Sequence, residues 1–443
     1  MLRKSFLKIC GLSAVGLTAR GGNRTVFRTK KTVRGSAENL ILVFLDGAPS
    51  QVDTFDLKVG NWTPNDFEPA TFGNFLLPGA LFPSLSQQTD RFSILRAISG
   101  NEAVHQRASY LLETSHTFNP SFAKEQPHIG SVMAYELEAQ RKSEDILPTF
   151  LSLNGLTQGP GLLPSTYAAF TFSAEQGVSG LAHPGGENLF RKRYQSLLNV
   201  DQKNRSTVAA QGAALSDYHN FYHLGQRMMY EPDVEDSFTA TENDLSRYGA
   251  TPTGVSCAVA FKTLAKDRGT RVIQIRQGGW DMHYDIYDRN VNGNIYERTA
   301  ELDTALAAML EDLAAAPGKR GGTLLDETLV VVTGEFGRTP GALTRNLGRD
   351  HFPYAFSALL AGGGIVPNQA FGATAEDGSY ITDPFWSHNR YITMPDLIAT
   401  MYSSLGIDWT KEIRNTPSGR VYEYTPKVND EAGYYKDIDA MFA

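Results

Sequence analysis

Residues Leu40–Gly47 read LILVFLDG and residues Thr328–His351 read TLVVVTGEFGRTPGALTRNLGRDH, and the fold follows from how these two runs begin and stop. Each opens as an unbroken apolar stretch, the pattern of a strand covered on both faces rather than on one. The first stops at Asp46-Gly47 and the second at Gly334-Glu335. Between them, Arg271–Ile275 reads as a third strand and leads into Gly278-Gly279-Trp280-Asp281-Met282-His283. Beyond them, Asp350-His351 precedes a further apolar run, Phe356–Ala361. Phe92–Ile98 and Pro148–Leu153 add two more candidate strands. Helical patterns fall at Gln106–Glu113, Gly130–Leu137, Ser256–Arg268 and Met394–Leu405. Another helix carries Leu302, Leu306, Met309, Leu310 and Leu313 on one face. Strands alternating with amphipathic helices predict an α/β fold, a mostly parallel central sheet with helices on both faces.

In a parallel sheet the C-terminal strand ends share one edge, so residues far apart in the chain can meet there. Asp46, Asp281, His283, Glu335, Asp350 and His351 are therefore candidate metal ligands. Each has an ordinary alternative: Asp46 in a turn, Asp281 and His283 as a cap with a surface histidine, Glu335 ion-paired with Arg338, Asp350-His351 in a loop hydrogen bond. Imidazole and carboxylate without thiolate suit one or two divalent ions of the Zn²⁺, Mn²⁺, Mg²⁺ or Ca²⁺ kind. Arg338 or Arg107 could clamp an anionic ester. Ser50, four residues after Asp46, and Ser109 are candidate hydroxyl nucleophiles.

The chain has 443 residues, 41% hydrophobic and 20% charged, with a formal net charge of −7, which gives no reason to expect a nucleic-acid partner. Residues 1–19 follow the plan of an export signal: Arg3-Lys4-Ser5-Phe6-Leu7-Lys8, then a short apolar stretch too short to span a bilayer. The spacing is similar to the twin-arginine pattern with Lys4 in place of the second arginine, so either that route or the Sec route fits, and the chain is expected to be periplasmic or secreted. Residues 20–38 read as a linker and 39–443 as one domain, with a mainly helical insertion at about 185–249. Cys10 and Cys257 are the two cysteines, so the mature chain would hold one thiol and no internal disulfide. Cys257 lies in an apolar helical stretch and reads as a small buried hydrophobe.

The segments LVFLDGAPSQVDTFDLK, GGWDMHYD, TLVVVTGEFGRTP and GRDHFPYAFSALLAGGGIVPNQAFGAT resemble the DUF1501 family, exported proteins grouped with the alkaline phosphatase and sulfatase superfamily. The resemblance extends from about Asn39 to Asp408. It implies an alkaline phosphatase-like α/β domain with divalent metals held at strand ends. By the same resemblance Asp46 is the acid of the first strand, Asp281 and His283 form an acid–histidine pair with Asp285 as a competitor, and His351 is the late histidine with Asp350 beside it. Glu335 stands where the superfamily has an acid followed by histidine, but Phe336 takes the histidine's place. His105 falls at the superfamily's nucleophile position, where it could act as a nucleophile, a further metal or acid–base residue, or a cap. The reading these implications favour is an exported metal-dependent hydrolase of phosphate or sulfate esters, acting on an anionic small molecule or glycan. The alternative is a catalytically degenerate binding or scaffold protein for anionic glycans.

Overall fold

The computed structural model describes residues 33–205, 222–386, 388, 390–428, 433 and 435–442. The expected export signal, most of the linker and the start of the helical patch at 218–229 lie outside the described residues. An eight-stranded sheet carries the fold. Its strands, in chain order, are β1 Asn39–Leu45, β2 Phe92–Ile98, β3 Phe150–Leu153, β4 Phe170–Phe172, β5 Val272–Gln277, β6 Thr328–Thr333, β7 Phe356–Ala361 and β8 Ala370–Phe371. Across the sheet they stand in the order β8-β2-β7-β6-β1-β5-β3-β4. β1 pairs in parallel with β5 and β6, and β3 in parallel with β5 and β4. β7 alone runs against its neighbours β6 and β2, and β8 is parallel to β2. The mostly parallel sheet expected from the apolar runs is what the chain forms.

Alternation along β1 sorts its side chains onto two faces. Ile41, Val43 and Leu45 join one core and Leu40, Leu42 and Phe44 the other. Helices α3 (Pro252–Lys266) and α4 (Ile295–Ala315) cover the first face through residues such as Val255, Val259, Leu302, Leu306 and Leu310. Helices α2 (Ile129–Leu137) and α5 (Met394–Ser404) cover the second through Val132, Met133, Leu397 and Met401. Because β1 is buried along its whole length, every one of its positions can be apolar, which is why its sequence shows no polar alternation.

Where observed elements differ from the sequence expectation, local chemistry accounts for it. The helix expected from Ser256 begins at Pro252, because the Thr251 side chain accepts the Gly254 N–H and proline fits the first turn. The two outermost strands, β4 and β8, are only 3 and 2 residues long and lack an apolar run to betray them. Within the 185–249 stretch the described elements are helices: Gly186–Arg205, 222–228, Pro232–Phe238 and Glu242–Tyr248. Val234 and Phe238 reach into the core, and the Tyr248 hydroxyl donates to Asp312 Oδ2 on α4 at 2.6 Å. Cys257 is buried among these helices, and burial raises its thiol to about 12, so it stays protonated and inert.

Leu42→Ala, in the middle of the central strand, should lower unfolding stability by about 2–5 kcal/mol. A shift of the urea midpoint with an unchanged slope would register it; no shift would mean that β1 is not central to the core.

Candidate metal centre

The reversal of β7 brings the residues before it to the same edge at which β1, β5 and β6 end. The edge is built first from the β1 exit. Gly47 and Ala48 both have positive φ, 103° and 61°, which turns their two backbone N–H groups toward one point. Both donate to the Glu335 carboxylate at 3.1 Å. Glycine is required at 47 for a second reason: a Cβ there would stand 2.5 Å from the Asp281 nitrogen. Glu335 is buried and also meets His105 Nδ1 at 2.5 Å. His105 is the first residue of helix α1 (His105–Thr114), which follows β2.

Arg338, just past β6, holds the other loops. It is 1% exposed, and its five N–H donors are all directed at protein atoms. Nε donates to the Ala48 carbonyl at 2.9 Å and Nη1 to the Arg349 carbonyl at 3.1 Å. Nη1 also lies 3.3 Å from His283 Nε2. Nη2 donates to the Gly47 carbonyl and, at 2.6 Å, to Asp281 Oδ1. Burial pushes the Asp281 carboxyl up, but the Arg338 hydrogen bond and charge, with His105 beside it, hold it at about 2.

His105, Asp281, His283 and His351 thereby gather with their ligand atoms within 4.8 Å of one another. The histidines share one arrangement. His105 Nδ1 faces Glu335, His283 Nδ1 faces Asp350 Oδ1 at 2.8 Å, and His351 Nδ1 faces the Ala103 carbonyl at 2.6 Å. An oxygen acceptor at Nδ1 fixes the proton there and leaves the Nε2 lone pair free, as in histidines that bind metals. All three Nε2 atoms approach Asp281 Oδ1, at 3.1 Å from His105, 2.9 Å from His283 and 3.5 Å from His351. His283 and His351 Nε2 are 3.0 Å apart. Donors about 2.0–2.1 Å from a tetrahedral ion lie roughly 3.3 Å from each other, so the spacings among Asp281, His283 and His351 fit. His105 Nε2, despite its 3.1 Å distance from Asp281, makes no hydrogen bond and is buried. A buried ring nitrogen left so is expensive unless an acceptor for its proton or an electrophile for its lone pair meets it. The four residues could hold a metal ion.

The histidines differ in proton affinity. Burial lowers that of His351, and its hydrogen bond to the Ala103 carbonyl does not restore it. Burial also acts downward on His105, yet Glu335 and Asp281 outweigh it and leave His105 raised.

The other residues singled out from the sequence fall outside the cluster. Asp46 turns away and pairs with Arg276 at 3.1 Å. The buried Ser50 hydroxyl donates to Asp53 Oδ2 at 2.6 Å, and Ser109 lies one turn along α1 from His105. Glu335 and Asp350 stand behind the cluster as partners of its histidines. Asp285 has a positive φ of 43° and is not among the gathered residues. Arg338 has its donors committed to protein atoms, whereas Arg107 is exposed. The sequence reading missed the Ala103 carbonyl, which any residue type could supply. It also missed the buried Asp53–Arg349 pair, at 2.5 Å, which Tyr287 joins through a 2.7 Å bond to Asp53 Oδ1. Arg349 next to Asp350-His351 was the one available signal, because a guanidinium so placed seeks a buried acid.

Residues 37–429 match the family model described as "Protein of unknown function (DUF1501)". No curated protein matches the chain. Among solved structures, it is similar to a protein in the alkaline phosphatase superfamily from Vibrio parahaemolyticus, with 13% identity, TM-score 0.37, and 86% of this chain and 69% of that one covered. It is similar to the PsFucS1 sulfatase from Pseudoalteromonas sp., with 12% identity, TM-score 0.35, and coverage of 92% and 72%. It is also similar to the C-terminal periplasmic domain of EcEptC from Escherichia coli in complex with Zn, with 12% identity, TM-score 0.40, and coverage of 88% and 94%.

Two substitutions separate ligands from their supports. Asp281→Ala should abolish stoichiometric metal binding, whereas Asp350→Ala should weaken it about 10–100-fold. Elemental analysis and chelator competition read both effects, and full metal content in Asp281→Ala would exclude the site.

Proposed function

The chain belongs to the DUF1501 family, and from the geometry of its strand-end cluster we propose that it is a metal-dependent hydrolase of sulfate or phosphate esters. The observation that carries the reading is the convergence of the His283 and His351 Nε2 atoms on Asp281 Oδ1, each with its Nδ1 proton held from behind, while His105 Nε2 faces the same oxygen. Such a donor set, imidazoles plus one carboxylate, favours a zinc-type ion. When bound, the ion would polarise the ester's non-bridging oxygen and lower the pKa of an attacking water.

The chain's own residues divide the remaining work. Asp281, His283 and His351 are the holding set, since a catalytic site uses three protein ligands and keeps a position open. Asp281 stays anionic because Arg338 donates to it. His351 stays neutral because it is desolvated, and Asp350 orients His283. His105 is left for the proton. Its Nδ1 is bound to Glu335, which favours the charged ring, so Nε2 can deliver a proton to the leaving oxygen and regain it afterwards. Two histidines one ring apart, 4.3 Å between centroids, are thus pushed in opposite directions, a pattern that marks separate acid–base roles.

The Ser50 hydroxyl is committed to Asp53 Oδ2, and this supports water rather than that side chain as the attacking group. The same feature favours the second reading, a binding protein for anionic glycans that retained the ion. The basic and apolar character of residues 1–19 supports export to the periplasm or medium. No helix among the described residues is long and apolar enough to cross a membrane.

The purified chain should hydrolyse aryl sulfate or aryl phosphate esters, lose at least 100-fold in kcat on EDTA treatment and regain it with zinc. Inactivity on every ester with every added ion would leave the binding protein. If His105 acts as the acid, kcat/KM falls as pH rises through its pKa, which Glu335 and Asp281 hold above 6.5. In Glu335→Gln that descending limb should move to lower pH. A limb that does not move would remove His105 from the proton transfer.

A further inference from the structure

Behind Phe336 lies a cavity of about 310 Å³ whose lining includes Asn101, Arg107, Ser115, Phe336, Phe356 and Met394. Its size is that of a small-molecule site. One layer of protein separates it from the metal centre. The Phe336 ring stands 4.8 Å from the ring of His105 and 4.9 Å from that of His351. The segment before α1 is a shared rim: the Ala103 carbonyl takes the His351 Nδ1 proton on one side, while Asn101 and Glu102 line the cavity on the other.

Two polar groups in this lining have no protein partner. Ser115, at the end of α1, is fully buried with a positive φ of 66°, and its hydroxyl makes no hydrogen bond. A buried hydroxyl left so costs on the order of 1–3 kcal/mol unless a ligand or water meets it. Arg107 is exposed in the first turn of α1, and its guanidinium has no hydrogen bond or ion pair among the described residues. Arg338, by contrast, has no donor left to offer. The remaining walls pair aromatic and thioether surface from Phe336, Phe356 and Met394 with the Asn101 amide and the Glu102 and Glu335 carboxylates, a mixture that suits an amphipathic ring bearing both C–H faces and hydroxyls.

We propose that this cavity is a substrate-recognition site for a sugar ring carrying a second acidic group, which pairs with Arg107 while the reacting ester reaches over the Asn101–Val104 rim to the metal centre. The proposal rests on the hydrolase reading for its reacting ester but not for its binding chemistry. Phe336 keeps the cavity apart from the cluster, so the group on Arg107 is not the one that reacts. The site therefore selects hexoses with two anionic substituents over simple monoesters.

The test compares the zinc-loaded full chain with Arg107→Ala, a position where alanine is the best helix former and the side chain is exposed, so folding is retained. A disulfated and a bisphosphorylated hexose serve as substrates, with aryl sulfate and aryl phosphate as single-charge references. Loss of one charge-assisted pair should lower the hexose-to-aryl ratio of kcat/KM about tenfold, for whichever anion is the true substrate. A ratio that does not change overturns the proposal and leaves the hydrolase intact. If the wild-type chain turns over nothing, the hydrolase reading fails, and calorimetric titration with the same two hexoses decides the cavity alone. Binding that Arg107→Ala weakens about tenfold sustains it; no binding, or equal binding by both forms, overturns it.

Discussion

The Arg338 guanidinium is the interaction on which the functional edge depends. It is buried, its neighbours are backbone carbonyls from the β1 exit and from the loop before β7, and its charge rests against Asp281. A buried cation without a full set of acceptors would destabilise the chain strongly. That penalty is avoided only when the loops stand in one arrangement, so the same group that requires pairing also fixes the geometry. The backbone nest of Gly47 and Ala48 works in the opposite sense, offering donors to a buried anion, Glu335. Arg338 and Glu335 thus bury one charge of each sign beside the cluster, each satisfied mainly by main chain.

This arrangement explains how much of the molecule could be read in advance. The apolar runs at Leu40–Leu45 and Leu329–Val332 are legible because a strand buried on both faces has no freedom to be polar. That Asp281, His283 and His351 gather at one edge is legible because residues following parallel strands, or preceding a reversed one, share that edge. The family model agrees with the resemblance carried by those same segments.

What could not be read is which of two oxygen-bearing residues faces the centre and which stands behind it. Asp281 and Asp350 are equivalent as text; one converges with the Nε2 atoms and the other receives an Nδ1 proton. Asp46 follows the same strand-end rule, yet Arg276, which pairs with it, ends a strand that adjoins β1 only after folding. The committed donors of Arg338 were equally hidden, since its acceptors are carbonyls that every residue possesses. The sequence shows where chemistry can occur, while long-range packing decides which atom performs it.

The reversed strand has a consequence for how such a chain can diverge. Because β7 returns along the sheet, the stretch from Glu335 to Ala355 both leaves and regains the same edge, anchored at one end by Arg338 and at the other by His351. Between those anchors the chain owes nothing to the register of the central strands. Residues can be inserted or lost at its exposed tip, near Ala342 and Arg345, whereas Asn346, Leu347 and Arg349 are tied by backbone bonds to Asp285, Ile286 and Met282. In an evolving lineage that tip is therefore a cassette, free to vary in length and texture at the mouth of the site while the apparatus beneath it is inherited unchanged.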